Sequence, residues 1–201
     1  PKEVIIDSNW LKTLQQEEIR SGFAEMLKHG LIASTSYWDK LKKINLLSIS
    51  NLSKHILPSI NVKKRIVLKD YKEKKLRKIL NFGHTFGHAI ESYFLKHKDK
   101  KSLLHGEAIS IGMILEAYIS TQVCGFPFDK ALDIKKIFNK YFPKVMFKSE
   151  EKQSIISLLS HDKKNDHGKI NFVLLEDISK PVIDVNAGER LLNDAFEFYE
   201  S

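Results

Sequence analysis

Residues 80–91 read LNFGHTFGHAIE, with His84 and His88 four apart and Glu91 three positions further on. Imidazoles titrate near neutral pH and ligate divalent metals, and a carboxylate can serve either chemistry. On a helix running through this stretch, Arg77, Asn81, His84, His88 and Glu91 fall within an arc of about 80°. Leu76, Ile79, Phe82, Phe86, Ile90 and Phe94 cover most of the remaining surface. A helix that is apolar on most sides is buried, so the polar stripe is expected to face an internal cleft where each group needs a partner. One histidine in such a setting reads as a satisfied core residue, whereas five ligand-type or acid-base groups on one face point to chemistry. The zinc-protease spacing is excluded, because it needs a Glu directly after the first His and Thr85 stands there. Gly83 and Gly87, also four apart, predict the close approach of another backbone.

Two further stretches share this character. SGFAEMLKHG (21–30) sets Glu25 among Phe23, Ala24, Met26 and Leu27, with Lys28 and His29 following. Glu25 reads either as half of an exposed helical ion pair or as a buried carboxylate held by a metal. LLHGEA (103–108) places His105 at a helix start after a loop, as a plain first-turn histidine or as a ligand. One Glu and two His would make an open divalent site with positions left for substrate or water.

The elements that must position these groups are mostly helical. KEVIID (2–7) reads as a short strand, followed by helices over Glu17–Ala33, Tyr37–Ile44 and Leu46–Ile66, the last interrupted at Pro58. Lys74–Leu95 reads as the central helix, and HKDKKSLL (97–104) as a charged loop. HGEAISIGMILEAYISTQV (105–123) is a long apolar helix closed by Gly125 and Pro127. Helices over Asp129–Tyr141 and Glu150–Ser160 precede the turn-rich HDKKNDHGK (161–169). KINFVLLE (169–176) reads as a strand that PVIDV (181–185) can pair with, and Ala187–Tyr199 closes the chain as a helix. The expected class is mainly α, a multihelical domain with a small β element and no internal linker or repeat.

Composition narrows the partners. The chain has 201 residues, 42% of them hydrophobic, enough for a real core. The apolar runs are far shorter than a bilayer span, and no signal-peptide pattern opens the sequence. A single cysteine, Cys124, excludes an internal disulfide and suits a reducing cytoplasm. The net charge of +8 comes from scattered lysine doublets with acidic residues between them. That pattern fits a solvated lysine-rich surface or a basic site for a small phosphorylated substrate. It lacks the aromatic-basic interleaving of a nucleic-acid binder.

Taken together, AEMLKHG, the spaced Lys63, Asp70, Glu73, Arg77 series running into LNFGHTFGHAIE, and LHGEAISIGM resemble 3-dehydroquinate synthases. The resemblance extends in order from WLKTL (10–14) to DKK (162–164). It implies the multihelical C-terminal domain of that family and a zinc or cobalt ion bound by Glu25, His84 and His105. It gives substrate contacts to Lys28, Lys63, Arg77, Asn81 and Lys163, with Lys164 the alternative to Lys163. Glu73 and His88 take the family's proton-handling roles, and Trp10, Leu11, Lys12 and Thr13 match a stretch that touches NAD⁺. The implied reaction converts the sugar phosphate 3-deoxy-arabino-heptulosonate 7-phosphate to 3-dehydroquinate, in a full-length homodimer with no nucleic-acid or membrane partner.

The sequence also departs from the family pattern. Lys75 stands where the family usually has glycine, and the loop before His105 is longer and more charged. No glycine-rich dinucleotide-binding segment occurs, so the chain reads as a C-terminal fragment whose residues 1–14 end a missing nucleotide-binding domain. On its own it is expected to bind a divalent metal, to bind NAD⁺ weakly or not at all, and to form no product. Three rival readings stand beside this one: a related cyclase making aminocyclitol or valiolone precursors, a metal phosphohydrolase built on His161-Asp162, and a non-catalytic basic binding domain. The second needs that His-Asp pair on a helix, and the third leaves the polar stripe unexplained.

Overall fold

The structure, a computed structural model, describes residues 2–45, 47–97, 99–160 and 170–201. The phosphohydrolase pair His161-Asp162 and the expected substrate lysine, Lys163 or Lys164, lie outside the described residues. Among the described residues the fold is multihelical with one two-stranded sheet, as the sequence pattern implies. No helix among the described residues is long and apolar enough to cross a membrane.

The chain is built around α5 (His105–Val123), whose residues from Gly106 to Ala117 are all buried. A helix apolar all round must be covered on all sides. Here α1 (Gln16–Ala33), α4 (His84–Lys96), α6 (Phe128–Tyr141), α8 (Glu189–Glu200) and the first strand do so. Gly125, at φ +72°, ends α5 in the left-handed conformation that lets Cys124 and Phe126 both donate to the Ser120 carbonyl. The short α2 (Thr35–Leu41) seats Trp38 against Gly30 of α1, and α7 (Ser149–Ser160) packs on α4 and α8. The strands β1 (Asn171–Asp177) and β2 (Lys180–Asn186) form an antiparallel hairpin, the pairing expected for them. Ser179 at its tip donates its backbone N–H to the Leu31 carbonyl at 2.7 Å, fixing the hairpin to the end of α1.

Three expectations about elements are corrected. Residues 2–7 form no strand; Val4, Ile5 and Ile6 are exposed, and no described segment pairs with them. Pro58 does not interrupt its helix, and α3 (Ile49–Lys69) runs through it. Proline frees the carbonyl of residue 54, but both positions face solvent, where water can satisfy that oxygen, while Leu52, Val62 and Ile66 hold the opposite face in the core. The central helix expected over Lys74–Leu95 is two elements: a 3₁₀ helix over Leu76–Asn81, a turn at Phe82–Gly83, and then α4. Gly83 takes φ +80°, and the reason for the break lies in α5, where a carboxylate collects the N–H groups freed by the turn.

Candidate active site and metal centre

That carboxylate is Glu116, fully buried in the middle of α5. It accepts the Gly83 N–H at 2.6 Å and the Phe86 N–H at 3.3 Å. The first N–H groups of an α-helix have no partner within it, and the Glu116 carboxyl oxygens supply acceptors for two of them. Burial pushes the Glu116 carboxyl up to about 8, although these backbone donors oppose the shift. Close approach makes the contact possible: a Cβ on Gly112 would lie 2.0 Å from the Gly83 carbonyl oxygen. The outcome is that His84 becomes the first residue of α4, at a fixed place above α5.

The His84 ring is held in turn. Its Nδ1 lies 3.2 Å from the Phe82 carbonyl oxygen, which can only accept, so Nδ1 carries the hydrogen and Nε2 presents a lone pair. That lone pair faces Glu25 of α1, with Nε2 and Oε1 3.6 Å apart. Burial, together with the Lys28 ammonium, lowers the His84 pKa to about 3. The imidazole is therefore neutral at physiological pH, the state a metal ligand requires.

Glu25 and Lys28 form an ion pair at 2.7 Å. It is not the exposed helical pair that the sequence left open, since the Lys28 side chain is only 3% exposed. Burial alone would raise the Glu25 carboxyl, but the Lys28 ammonium paired with it holds it below the usual carboxylate range. Burial pulls the Lys28 ammonium down, and Glu25 resists that fall. Lys28 Nζ also sits 3.5 Å from His84 Nε2. The residues are thus arranged around positive charge.

His105 completes the group as the first residue of α5. Gly106 beside it brings α5 against α1, where a Cβ would lie 2.1 Å from the Ser21 carbonyl oxygen. One donor atom each from Glu25, His84 and His105 lies within 4.8 Å of the others. A second triple of the same span, His88, Glu91 and His105, shares its last member. The rings of His84, His88 and His105 pack together, with centroids 5.2 to 6.0 Å apart.

The first triple fits a divalent metal on an observation independent of any likeness. Glu25 Oε1 is buried and has no hydrogen-bond partner among the described residues. Leaving a buried charged oxygen unsatisfied costs a few kcal/mol, and a cation shared with two neutral imidazoles would satisfy it. Two nitrogen donors and one oxygen suit zinc or cobalt, with room for further ligands.

Beside this centre opens a cleft of ≈ 390 Å³ lined by Glu73, Asn81, His84 and His88 on one side and by Asn171 and Asp184 on the other. Glu73 occupies the left-handed region at φ +54°, an uncommon state for a residue with a side chain. Asn81 donates to its Oε1 at 3.1 Å, and Arg77 Nε lies 3.5 Å from its Oε2. Asp70 shapes this turn by accepting the backbone N–H groups of Lys74, Lys75 and Arg77, which hold its carboxyl below the usual range.

The structure therefore brings together Glu25, Lys28, His84, His88 and His105, and sets Glu73 and Asn81 beside them in the same cleft. Lys63 stands exposed on α3, near enough for its charge to lower both Lys28 and His29. Arg77 is folded back on its own turn, donating to the Tyr71 carbonyl at 3.0 Å. Trp10–Thr13 fall in an exposed 3₁₀ helix, Ser8–Thr13, packed against α3. Sequence reasoning missed Lys78, which lines the cleft and pairs with Asp184 at 2.8 Å, because it is one lysine in a lysine-rich stretch. It also missed Glu116, although a charge inside an otherwise apolar run was a legible signal.

Comparison with known proteins identifies the relatives of this chain. The 3-dehydroquinate synthase C-terminal family matches residues 22–165. A 3-dehydroquinate synthase of Parabacteroides distasonis is 39% identical over 202 residues, covering 99% of this chain and 56% of that protein. A crystal structure of 2-deoxy-scyllo-inosose synthase complexed with carbaglucose-6-phosphate, NAD⁺ and Co²⁺ superposes with a TM-score of 0.79 at 25% identity, over 94% of this chain and 55% of that one. A 2-epi-5-epi-valiolone synthase from Streptomyces hygroscopicus with NAD⁺ and Zn²⁺ bound shares the fold at 20% identity and a TM-score of 0.77, over 97% and 54% of the two chains. The chain spans about half the length of the curated relatives it matches.

Proposed function

The chain belongs to the 3-dehydroquinate synthase C-terminal family, and from that premise we propose that it carries the metal- and substrate-binding half of a 3-dehydroquinate synthase. The proposed reaction is the phosphate-eliminating cyclisation of 3-deoxy-arabino-heptulosonate 7-phosphate to 3-dehydroquinate, with the NAD⁺-binding part in the other half of the full-length protein. The observation that carries this reading is the convergence of Glu25, His84 and His105 around a buried carboxylate oxygen that has no hydrogen-bond partner among the described residues.

Glu25, His84 and His105 would hold the divalent ion, zinc or cobalt. When bound, the ion lowers the pKa of a coordinated hydroxyl and NAD⁺ supplies a reversible hydride acceptor. The residues of this chain do the rest. Lys28 and Lys63 place positive charge where an anionic substrate must sit, and Arg77 offers a bidentate fork once it leaves the Tyr71 carbonyl. Asn81 and Arg77 orient the Glu73 carboxylate, fixing the direction from which it can accept a proton. His88, one turn beyond His84 and in the cleft wall, is the second proton-handling group, since an imidazole can take up and release a proton near neutral pH.

The test is product formation by the full-length protein with NAD⁺, zinc and the heptulosonate phosphate. His88→Ala should lower kcat by roughly 10²–10⁴-fold while leaving the zinc content unchanged. Near-normal kcat would make His88 a structural residue, and turnover only with other sugar phosphates would move the protein to a related cyclase activity.

A further inference from the structure

His105 is the least supported of the three proposed ligands. Its side chain is 45% exposed, against 13% for His84 and 33% for Glu25, and it follows a charged loop. The His84 and His88 rings approach it, with centroids 5.6 and 6.0 Å away, but a side chain this exposed is not locked into one rotamer by packing alone. A ligand left to sample rotamers must lose that freedom when it binds an ion, which weakens binding.

We propose that Glu91 is the positioning residue that removes this freedom. Its Oε2 lies 3.3 Å from His105 Nδ1. An ionised carboxylate can only accept, so Nδ1 carries the hydrogen and Nε2 is the nitrogen left for the ion. The arrangement repeats at His105 what the Phe82 carbonyl does at His84, where Nδ1 is held at 3.2 Å. The His84 anchor is backbone, and that of His105 is a side chain on a separate helix, two turns along α4 from His84. Glu91 therefore couples the α5 ligand to the helix that carries the α4 ligand.

A competing role is direct ligation, since His88, Glu91 and His105 also bring donor atoms within 4.8 Å. The two carboxylates differ, however. Among the described residues Glu25 Oε1 is buried without a hydrogen-bond partner, whereas Glu91 Oε2 faces the His105 ring nitrogen. The oxygen that lacks a partner belongs to the first triple.

This inference rests on the metal-centre reading above, and its test separates the two. Zinc affinity would be measured by competition with a chromophoric chelator for the unaltered chain, Glu91→Ala and Glu91→Gln, with the melting temperature of each metal-free protein alongside. Glu91 is part-exposed, so both variants should fold with melting temperatures near that of the unaltered chain. Glu91→Ala should weaken zinc binding 10–100-fold at unchanged stoichiometry. Glu91→Gln, whose amide oxygen can still accept the Nδ1 hydrogen, should recover most of that loss. Unchanged affinity in Glu91→Ala would overturn the proposal. Equal loss in both variants, with loss of bound zinc, would make Glu91 a ligand. An unaltered chain that binds no zinc would instead defeat the metal-centre reading itself.

Discussion

At the scale of single residues, the site is defined by which groups are forced to be neutral and which are allowed charge. His29, next to Lys28, shows the forced case outside the ligand set. Its Nδ1 pairs with the Ser59 hydroxyl at 2.7 Å, and its side chain is buried. Burial, helped by the Lys28 charge, lowers its pKa from 6.5 to about 4. The unfolded chain gains a proton near pH 6.5, while the folded chain resists until about 4, so folded stability must fall as pH drops through that window. The loss attributable to His29 should approach about 3 kcal/mol at the acid end. Urea unfolding at intervals from about pH 4 to 7 would measure it, and His29→Gln should flatten the slope. An unchanged slope in that variant would show that other groups carry the acid sensitivity. Of the residue-scale reading, the histidines, Glu25 and Lys28 were legible, because titratable groups amid apolar neighbours are conspicuous. Lys78, Asp184 and the partnering of Glu91 with His105 were not, because nothing local distinguishes a lysine or an acid that meets its partner only in the folded chain.

At the scale of elements, the crossing of α4 and α5 is the feature on which the site depends. Gly112 admits the Gly83 carbonyl, and a methyl group there would also lie 2.8 Å from the Gly87 nitrogen. Gly112→Ala should therefore cost about 1–3 kcal/mol of stability or more, as overpacking against backbone does. Gly22, exposed within α1 with no described atom beyond its own stretch of helix within 4 Å of where a Cβ would stand, provides the contrast. Gly22→Ala should gain roughly 0.5–1 kcal/mol from helix propensity. Thermal melts of both variants would check the pair, and equal melting temperatures would contradict the packing argument. The sequence revealed α5 with its true bounds, since a long apolar run ended by Gly125 and Pro127 has one reading. It also revealed the β1–β2 hairpin and the close approach at Gly83 and Gly87. It hid the break at Phe82–Gly83, because the group that rewards that break is Glu116, thirty-three residues away in sequence and adjacent only after folding. The continuous helix drawn through Arg77 and Asn81 therefore misplaced them. Asn81 reaches the cleft from a 3₁₀ turn and Arg77 is folded back on that turn, so the two do not lie along one helical stripe.

At the scale of the whole molecule, three helices each deliver one proposed ligand, α1 from far upstream of the consecutive α4 and α5. Glu25 comes from the middle of α1, His84 from the start of α4 and His105 from the start of α5. Two of the three stand at helix starts, where the backbone is held by Glu116 in one case and by the contact of Gly106 with Ser21 in the other. The proposed metal centre thus needs all three helices in place at once. The most direct measurement is the zinc content of the purified chain and of Glu25→Ala, His84→Ala and His105→Ala, by elemental analysis after equilibration with zinc and removal of unbound metal. About one equivalent is expected in the unaltered chain and a sharp loss in each variant, each still folded by circular dichroism. Full zinc retention in all three folded variants would contradict the assignment of Glu25, His84 and His105 as the ligands.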